Sequence, residues 1–138
     1  MKRIEVVAAI IIYQDRFLCV RRGESPLDYI SKKWEFPGGK IESNESKDQA
    51  LEREIREELE MIIDNINYFT TVTHTYPDFI LTMHAYKCTS DEVTPTLNEH
   101  LEYKWLPIDD LSSLDWAAAD IPIVNQLVKG ESVSNKLN

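Results

Sequence analysis

The sequence predicts an α/β fold in which a mixed β-sheet is covered by helices on both faces. Several segments rich in β-branched and aromatic residues are typical of strands, and two separated segments have the periodicity or end signals of helices. A hydrophobic content of 43% in 138 residues suits one domain with a real core. We expect residues 1–130 to form that domain and residues 131–138 to form a frayed tail.

The predicted strands begin near the N-terminus. Ile4 to Tyr13 is predicted to be a buried strand because β-branched and other apolar residues dominate it. Gln14-Asp15 is typical of a turn, so this strand and the next, Arg16 to Arg22, are predicted to form a hairpin. Residues 23–33 are mostly polar and are predicted to be a loop. The other predicted strands are Trp34 to Phe36, which Pro37-Gly38-Gly39 would stop, Ile66 to Tyr76, Phe79 to Cys88 and Glu102 to Leu106.

The clearest predicted helix begins after Ser46. Ser46 is a good N-cap, and Gln49 lies three residues later, as a capping box requires. An apolar stripe then follows at helical spacing, made by Leu51, Ile55 and Leu59. Two further helical segments are predicted: a short turn at Pro107 to Leu111, and a last helix at Asp120 to Lys129 that Gly130 would end.

Charge and composition exclude several classes of partner. The net charge is −9 and the chain has no cluster of Lys and Arg, so we expect neither a nucleic-acid polymer nor an anionic membrane as partner. The longest apolar stretch, Val6 to Tyr13, is too short to span a bilayer, and a cytoplasmic location is expected. Cys19 and Cys88 lack the spacing of a redox or zinc motif and are predicted to be buried free thiols.

Three carboxylates lie on or beside the predicted core face of the clearest helix. On a helical wheel centred on Leu51, Glu58 lies near about −20° and Glu54 near about −60°. Glu57 lies near about −120°, and the i, i+3, i+4 spacing lets the three side chains converge. Like charges packed together are costly unless a divalent cation joins them, and Mg²⁺ prefers such hard oxygen ligands. The alternative interpretation is a solvated acidic face, which suits the other glutamates of the helix better.

The segment Gly39 to Met61, which contains these three glutamates, resembles the Nudix box. The pattern of that box is G-x5-E-x7-R-E-U-x-E-E-x-G-U, with U an apolar residue. The matching positions are Gly39, Glu45, Arg53, Glu54, Ile55, Glu57, Glu58 and Met61. Glu60 departs from the pattern, since the family has a glycine there that usually ends the helix in a left-handed conformation. Such a conformation would cost Glu60 on the order of 1–2 kcal/mol. We therefore expect the helix to run further or the turn to change.

The likeness extends beyond the box. Trp34 to Lys40 (WEFPGGK) is similar to the lead-in of the MutT-like branch, and Ala118 to Pro122 resembles the base-contacting segment of MutT-like and CTP-pyrophosphohydrolase-like members. The resemblance implies a Nudix-type α/β/α sandwich. It also implies a Mg²⁺-dependent pyrophosphohydrolase, with Mn²⁺ as a substitute, that converts nucleoside triphosphates such as 8-oxo-dGTP or CTP to the monophosphate and pyrophosphate. The alternatives are a Nudix hydrolase of sugar nucleotides or dinucleoside polyphosphates, and a non-catalytic nucleotide sensor.

The resemblance also implies roles for individual residues. Arg53, which the wheel places far from the core, would hold loop and helix together by pairing with a carboxylate such as Glu45. Arg22, at the end of the second strand, would approach the substrate phosphates. The implied metal ligands are the backbone carbonyl of Gly39, the carboxylates of Glu54, Glu57 and Glu58, and, as a further ligand or general base, Glu99.

The base-binding end is less defined by the sequence. Asp120 is interpreted either as the cap of the last helix or as an acceptor for an exocyclic amino group of a base. Four aromatic residues could stack on a base or be core residues: Trp34, Phe36, Phe79 and Trp116. Three histidines lack ligand spacing and are predicted to be structural: His74, His84 and His100. Gly38-Gly39 is interpreted either as an ordinary turn or as a tight turn that brings the backbone to a ligand. The base, the sugar and the choice between monomer and homodimer stay open.

Overall fold

Seven strands and two α-helices form the part of the chain that the computed structural model describes, which is the backbone of residues 1–137 and the side chains of residues 1–130. The strands are β1 (Lys2–Tyr13), β2 (Arg16–Arg22), β3 (Trp34–Glu35), β4 (Gly38–Lys40), β5 (Asp64–Thr75), β6 (Phe79–Thr89) and β7 (His100–Pro107). The helices are α1 (Lys47–Leu59) and α2 (Ile121–Leu137), with a 3₁₀ helix at Ile108–Ser113 between β7 and α2.

Strand β1 organises a mixed sheet. It pairs in parallel with β6 along most of its length, and its other edge pairs antiparallel first with β4 and then with β2. The strand order is β3-β2-β1-β6-β5, and β7 continues the sheet from β2. The predicted mixed sheet is therefore confirmed.

Alternate residues of β1 serve two cores, one on each face of the sheet. Val7 and Ile11 pack with the apolar stripe of α1, whereas Ala8 and Ile10 pack on the opposite face with residues of α2. The helices thus cover opposite faces, as the α/β/α prediction requires. Because both faces are buried, β1 is a continuous apolar run rather than an alternating one.

The strands and helices lie close to their predicted positions, with two corrections between β1 and α2. The predicted hairpin of β1 and β2 is confirmed, and Gln14 and Asp15 at its tip have φ values of 47° and 63°, as a type I′ turn requires. The Pro37-Gly38-Gly39 segment does not simply stop a strand, because residues 38–40 pair with β1 as β4. The short helical turn after β7 extends to Ser113.

The last helix also differs from its prediction. Gly130 does not end it, since α2 continues to Leu137. The side chains of residues 131–138 lie outside the described residues, so the predicted frayed tail stays a prediction.

Helix α1 ends as the family pattern describes, in spite of its glutamate. Glu60 adopts the left-handed conformation, with φ 53° and ψ 42°, and its N–H donates to the carbonyl of Arg56 at 3.0 Å. The expectation of a longer helix or a changed turn is therefore wrong. Leu59 and Met61 on either side are almost completely buried, and their burial offsets the conformational cost at Glu60.

The two cysteines are free and buried, as predicted. Burial raises the pKa of the thiols of Cys19 and Cys88 to about 12. None of the described helices has the length and apolar character that a bilayer crossing requires.

Replacing Gly38 by alanine is expected to destabilise the fold by roughly 3 kcal/mol, because the new methyl group would overlap the carbonyl of Val7 in a paired strand. Gly130→Ala is the matched control, since an added Cβ at Gly130 meets nothing within 4 Å and alanine favours helix. Urea denaturation followed by circular dichroism compares the two. Equal midpoints for Gly38→Ala and the wild type would contradict the packing of β4 on β1.

Candidate active site

Helix α1 carries the acidic side chains and is fixed at its start by the predicted capping box. Ser46 Oγ accepts the N–H of Gln49 at 3.1 Å, and the Gln49 side chain accepts the N–H of Ser46 at 2.9 Å. The stripe of Leu51, Ile55 and Leu59 is fully buried against the sheet. These contacts set the rotation of the helix about its axis, and with it the direction of each glutamate.

The three predicted glutamates are buried to different degrees. Glu58 is 8% exposed, and the side chains of Glu54 and Glu57 are 15% and 59% exposed. This is the order in which the helical wheel ranks them. A solvated acidic face therefore does not describe Glu54 and Glu58, although it does describe Glu52.

Arg53 holds the loop before α1 onto the helix. Its Nε and Nη2 donate to the two carboxylate oxygens of Glu45 at 2.5 and 2.9 Å, and Nη2 also donates to the carbonyl of Lys40 at 3.0 Å. Its Nη1 donates to Glu54 at 2.9 Å and to Glu57 at 3.2 Å. The wheel places Arg53 far from the core, but the loop folds over it and leaves only 15% of its side chain exposed. Hydrogen bonding to Arg53 lowers the pKa of Glu45 to about 2.

Strand β4 passes directly over Glu54. A Cβ at Gly39 would overlap the Glu54 carboxylate. Neither Gly38 nor Gly39 has a positive φ, so the turn interpretations are wrong and close approach is what requires glycine. The backbone of Gly39 and the carboxylate of Glu54 are thus neighbours that could contribute oxygens to one cation.

The loop before β7 closes the C-terminal end of α1. The Asn98 side-chain amide donates to the carbonyl of Glu57 at 2.8 Å, and its backbone N–H donates to the carbonyl of Glu58 at 3.1 Å. These bonds satisfy carbonyls that have no partner within the helix. They also place Glu99 beside the group formed by Glu54, Glu57 and Glu58, which we call the acidic centre. There the charge of Glu99 helps to raise the pKa of Glu58. No local sequence pattern singles out Asn98, because its bonded partner lies 41 positions away.

Glu58 has a buried oxygen without a hydrogen-bond partner. Its Oε2 contacts no donor among the described residues. Burial raises the pKa of Glu58 to about 9, and the charge of Glu54 acts in the same direction. Burial also raises the pKa of Glu54, against the effect of Arg53. A hard divalent cation would supply the missing partner and offset the repulsion, so this donor set fits Mg²⁺ or Mn²⁺.

The carboxylate groups of this site are not arranged around one cation position. Within the described residues, no group of three His, Cys, Asp or Glu side chains is arranged to hold a metal. Arg53 accounts for this, because it draws oxygens of Glu54 and Glu57 toward its own guanidinium. A divalent cation would compete with Arg53 for these oxygens.

A cleft of about 590 Å³ joins the edge of the acidic centre to an aromatic wall, and Glu54 and Glu57 are not among its lining residues. The lining has three parts: Glu58 and Glu99 with Gly38–Lys40, the pair Arg22 and Glu35, and Phe36, Tyr76 and Phe79 with Asp120. This volume suits one small ligand. A ligand with both a phosphate chain and a flat ring would match the two kinds of wall.

The predicted substrate-binding residues divide into two groups. Arg22, Phe36, Phe79 and Asp120 line the cleft, whereas Trp34 is not among its lining residues. Trp34 is 6% exposed and lies under the ammonium group of Lys104, 5.4 Å from its ring centre. The core interpretation therefore describes Trp34, and it describes the equally buried Trp116, whose ring centre lies 4.8 Å from that of Phe36.

The carboxyl of Asp120 bonds to the other side of the cleft rather than to its own helix. It is 4% exposed, and its Oδ1 accepts the backbone N–H of Phe36 at 3.0 Å. Its backbone carbonyl accepts the N–H groups of Ile123 and Val124, so Asp120 occupies the N-cap position of α2, but among the described residues no hydrogen bond joins its carboxyl to the first turn. Burial raises the pKa of Asp120 well above its usual range, and the nearby charge of Glu35 adds to this effect.

Sequence reasoning missed Glu35 and underrated His100. The Glu35 carboxylate is 3.0 Å from His100 Nε2 and 3.2 Å from Arg22 Nη1. The sequence signal was the place of Glu35 within WEFPGGK, which carries no chemical role by itself. The other two histidines do not line the cleft: His74 packs edge-on against Tyr76, and His84 is hydrogen-bonded to Thr71.

Comparisons with known proteins agree with this geometry. The family model described as NUDIX domain matches residues 2–127. The chain is 36% identical to the CTP pyrophosphohydrolase of Escherichia coli K12 over 124 residues, which is 90% of each protein. It is 27% identical to the 8-oxo-dGTP diphosphatase of the same strain over 127 residues, 92% of this chain and 98% of that one. The solution structure of the protein MutT from methicillin-resistant Staphylococcus aureus 252 is 42% identical, with a TM-score of 0.68 and coverage of 94% and 99%.

The contact between Glu45 and Arg53 is expected to stabilise the fold in a pH-dependent way. Because the pKa of Glu45 falls from 4.5 to about 2 on folding, the stabilisation is present above about pH 4.5 and is lost as the pH falls toward 2. Glu45→Gln should therefore lower the urea midpoint at pH 7 and lower it less at pH 3. Glu52→Gln, on the exposed side of α1, is the control. If the urea midpoints of Glu45→Gln and the wild type differ as much at pH 3 as at pH 7, the stabilising role of the Glu45 carboxylate is contradicted.

Divalent cations are expected to stabilise the metal-free protein through Glu58. Saturating Mg²⁺ or Mn²⁺ should raise the melting temperature by about 5 °C, because binding favours the folded state. Glu58→Gln should abolish this rise, and without metal at pH 7 it should melt no lower than the wild type, because a pKa of about 9 keeps the Glu58 carboxyl neutral there, as the glutamine amide is. An unchanged cation response in Glu58→Gln would exclude Glu58 as a ligand, and Glu52→Gln should keep the full response.

Proposed function

The chain belongs to the NUDIX domain family, and we propose that it is a Mg²⁺-dependent hydrolase that cuts a nucleoside triphosphate to the monophosphate and pyrophosphate. The observation that carries the proposal is a cleft that joins Glu58 and Glu99, at the edge of the acidic centre, to an aromatic wall with a buried aspartate. The CTP pyrophosphohydrolase and the 8-oxo-dGTP diphosphatase among the relatives support the same reaction.

The acidic end of the cleft would bind the phosphate chain. Glu54, Glu57 and Glu58 would hold the cation with the carbonyl of Gly39, and Glu99 would add a carboxylate as a further ligand or as the base for the attacking water. When bound, Mg²⁺ would neutralise phosphate charge and make water more acidic. Mn²⁺ offers similar chemistry and should substitute.

Two arginines would have different tasks in this reaction. Arg22 lies in the cleft lining with 43% of its side chain exposed, so its guanidinium can reach phosphate oxygens. Arg53 is occupied by the loop and by the carboxylates, and it would keep the acidic centre in shape. It would also hold Glu54 and Glu57 until a cation displaces it.

The aromatic end would bind the base. Phe79 is partly buried and offers ring surface for stacking, whereas Phe36 lines the cleft but is 3% exposed and would contribute little ring surface. Asp120 is fixed by the N–H of Phe36, so it can accept a hydrogen bond from an exocyclic amino group in a defined direction. Cytosine and the guanine-type bases, including 8-oxoguanine, carry such a group. We therefore propose CTP-type and oxidised guanine nucleotides as the substrate classes.

The net charge of −9 supports a small nucleotide as partner rather than a nucleic-acid polymer. A cytoplasmic location stays a prediction. So does a monomeric or homodimeric state, which analytical ultracentrifugation would measure.

The test of the function is a panel of nucleotides with Mg²⁺: CTP, dCTP, GTP, 8-oxo-dGTP, a sugar nucleotide and a dinucleoside polyphosphate. We expect equal amounts of pyrophosphate and monophosphate from CTP or 8-oxo-dGTP, measured by chromatography. Glu57→Gln and Glu58→Gln should each reduce the turnover number at least about 100-fold, because both remove cation ligands while the fold survives.

Three results would contradict the proposal. Hydrolysis of only the sugar nucleotide or the dinucleoside polyphosphate would change the substrate class. Nucleotide binding without hydrolysis would indicate a sensor. Near-wild-type turnover in either glutamine variant would reject the metal assignment.

A further inference from the structure

Three polar side chains form a hydrogen-bonded chain along the cleft wall. His100 Nε2 lies 3.0 Å from one oxygen of Glu35, and Arg22 Nη1 donates to the other oxygen at 3.2 Å. Exposure rises along this chain from 5% for the His100 side chain to 19% for Glu35 and 43% for Arg22. The chain therefore starts in the interior and ends with a cation at the cleft surface.

The backbone of three strands builds this arrangement. Strand β2 pairs with β7 on one edge and with β3 on the other. A register shift between Arg21 and Arg22 brings Arg22 opposite His100, and the N–H of Arg22 is fixed by the carbonyl of Lys33 at 2.9 Å. Glu35 enters from β3, where it ends the strand. The three side chains thus come from three rigid elements.

The burial of His100 is not what packing alone would favour. Its Nδ1 is buried and has no hydrogen-bond partner among the described residues. A buried polar atom without a partner carries a desolvation penalty that an apolar side chain of similar size would avoid. Among the described residues, the His100 side chain makes one polar contact, which is with Glu35, and an apolar side chain could not make it.

Glu35 needs such a support because it lies among other acids. Its charge helps to raise the pKa of Glu58 and of Asp120, so it lies near both ends of the ligand site. A carboxylate with a single hydrogen bond could rotate and turn both oxygens to Arg22. Arg22 would then be drawn back along the wall, and fewer of its N–H groups would face the cleft.

We propose that His100 is a positioning residue for nucleotide binding: it fixes Glu35, and Glu35 in turn holds the Arg22 guanidinium toward the triphosphate. This inference rests on the proposed function, because it names the device that aims one phosphate-binding side chain. Its effect is on substrate affinity and passes through Arg22.

The experiment measures KM and kcat for CTP with Mg²⁺ in single and double variants. His100→Leu should raise KM about tenfold and change kcat less than about twofold, because the lost contact serves binding. His100→Gln should restore most of the affinity, since its amide nitrogen can replace Nε2 as donor to Glu35. In an Arg22→Ala background, His100→Leu should add no further rise in KM, because the two residues act in series.

His84→Leu is the matched control. His84 is also largely buried, with 15% of its side chain exposed, and it also faces a carboxylate, that of Glu5 at 3.6 Å, but it does not line the cleft. The His84→Leu variant should leave the KM for CTP unchanged. If His100→Leu does not fold, His100→Asn replaces it, since that shorter side chain cannot reach Glu35.

Several outcomes would overturn the proposal. A rise in KM of the same factor in the Arg22→Ala background would show that His100 does not act through Arg22. A fall in kcat with unchanged KM would show that His100 supports the adjacent Glu99 instead.

A binding experiment separates the positioning role of His100 from the proposed hydrolase function. Calorimetry measures the binding of a CTP analogue with a methylene bridge between the α and β phosphates. If the wild type binds the analogue without hydrolysing any nucleotide, the function fails while an Arg22-dependent loss of affinity in His100→Leu keeps the positioning role. Absence of binding to the wild type would overturn both.

Discussion

The acidic centre depends on the hydrogen bonds that the Arg53 guanidinium donates. All five of its N–H groups are used, two on Glu45, one on the carbonyl of Lys40, and one each on Glu54 and Glu57. One planar cation thus fixes the loop before α1 and restrains two carboxylates of the helix. A lysine could not replace it, because a single ammonium cannot reach these acceptors together. The guanidinium thus lies against two of the carboxylates that would hold a divalent cation.

The cleft exists because β1 changes partner along one edge. β1 pairs with β4 at Val6 to Ala8 and with β2 only at Ile12 and Tyr13, and between them the N–H of Ala9 donates to the carbonyl of Pro37 at 2.8 Å. The chain from β3 to β4 therefore crosses the sheet at this place and brings Phe36 into the cleft wall. Parallel pairing of β1 with β6 continues underneath and supplies an apolar floor that includes Val6 and Met83. The same crossing requires glycine at position 38, where the two backbones touch.

Local sequence patterns predicted the features that local interactions determine. The capping box at Ser46, the turn at Gln14-Asp15 and the burial order of the glutamates of α1 all follow from neighbours within a few residues. The wheel misjudged Arg53 because it contains no information about a loop that folds back over the helix. The strand at Gly38–Lys40 was missed for a similar reason, since its partner lies about 30 residues earlier on β1.

Chemistry at the cleft was less predictable than the fold. Phe36 and Trp34 are neighbours of the same chemical class, yet only Phe36 lines the cleft. The link from His100 to Glu35 spans 65 positions and depends on a register shift that no local pattern encodes. Resemblance to a family singled out the glutamates proposed to bind metal, but the contacts among Arg22, Glu35 and His100 could be found only in the three-dimensional structure.

Glu60 bears on how relatives of this protein are recognised. Its backbone has the left-handed geometry that glycine usually provides at that point of the Nudix pattern, so the shape of the turn is retained while the residue type is not. A search that insists on glycine would discard this chain and any other that tolerates the strain in the same way. Such a search would undercount the enzymes in a genome, whereas one that reads the carboxylate spacing and the buried residues flanking the turn would retain them.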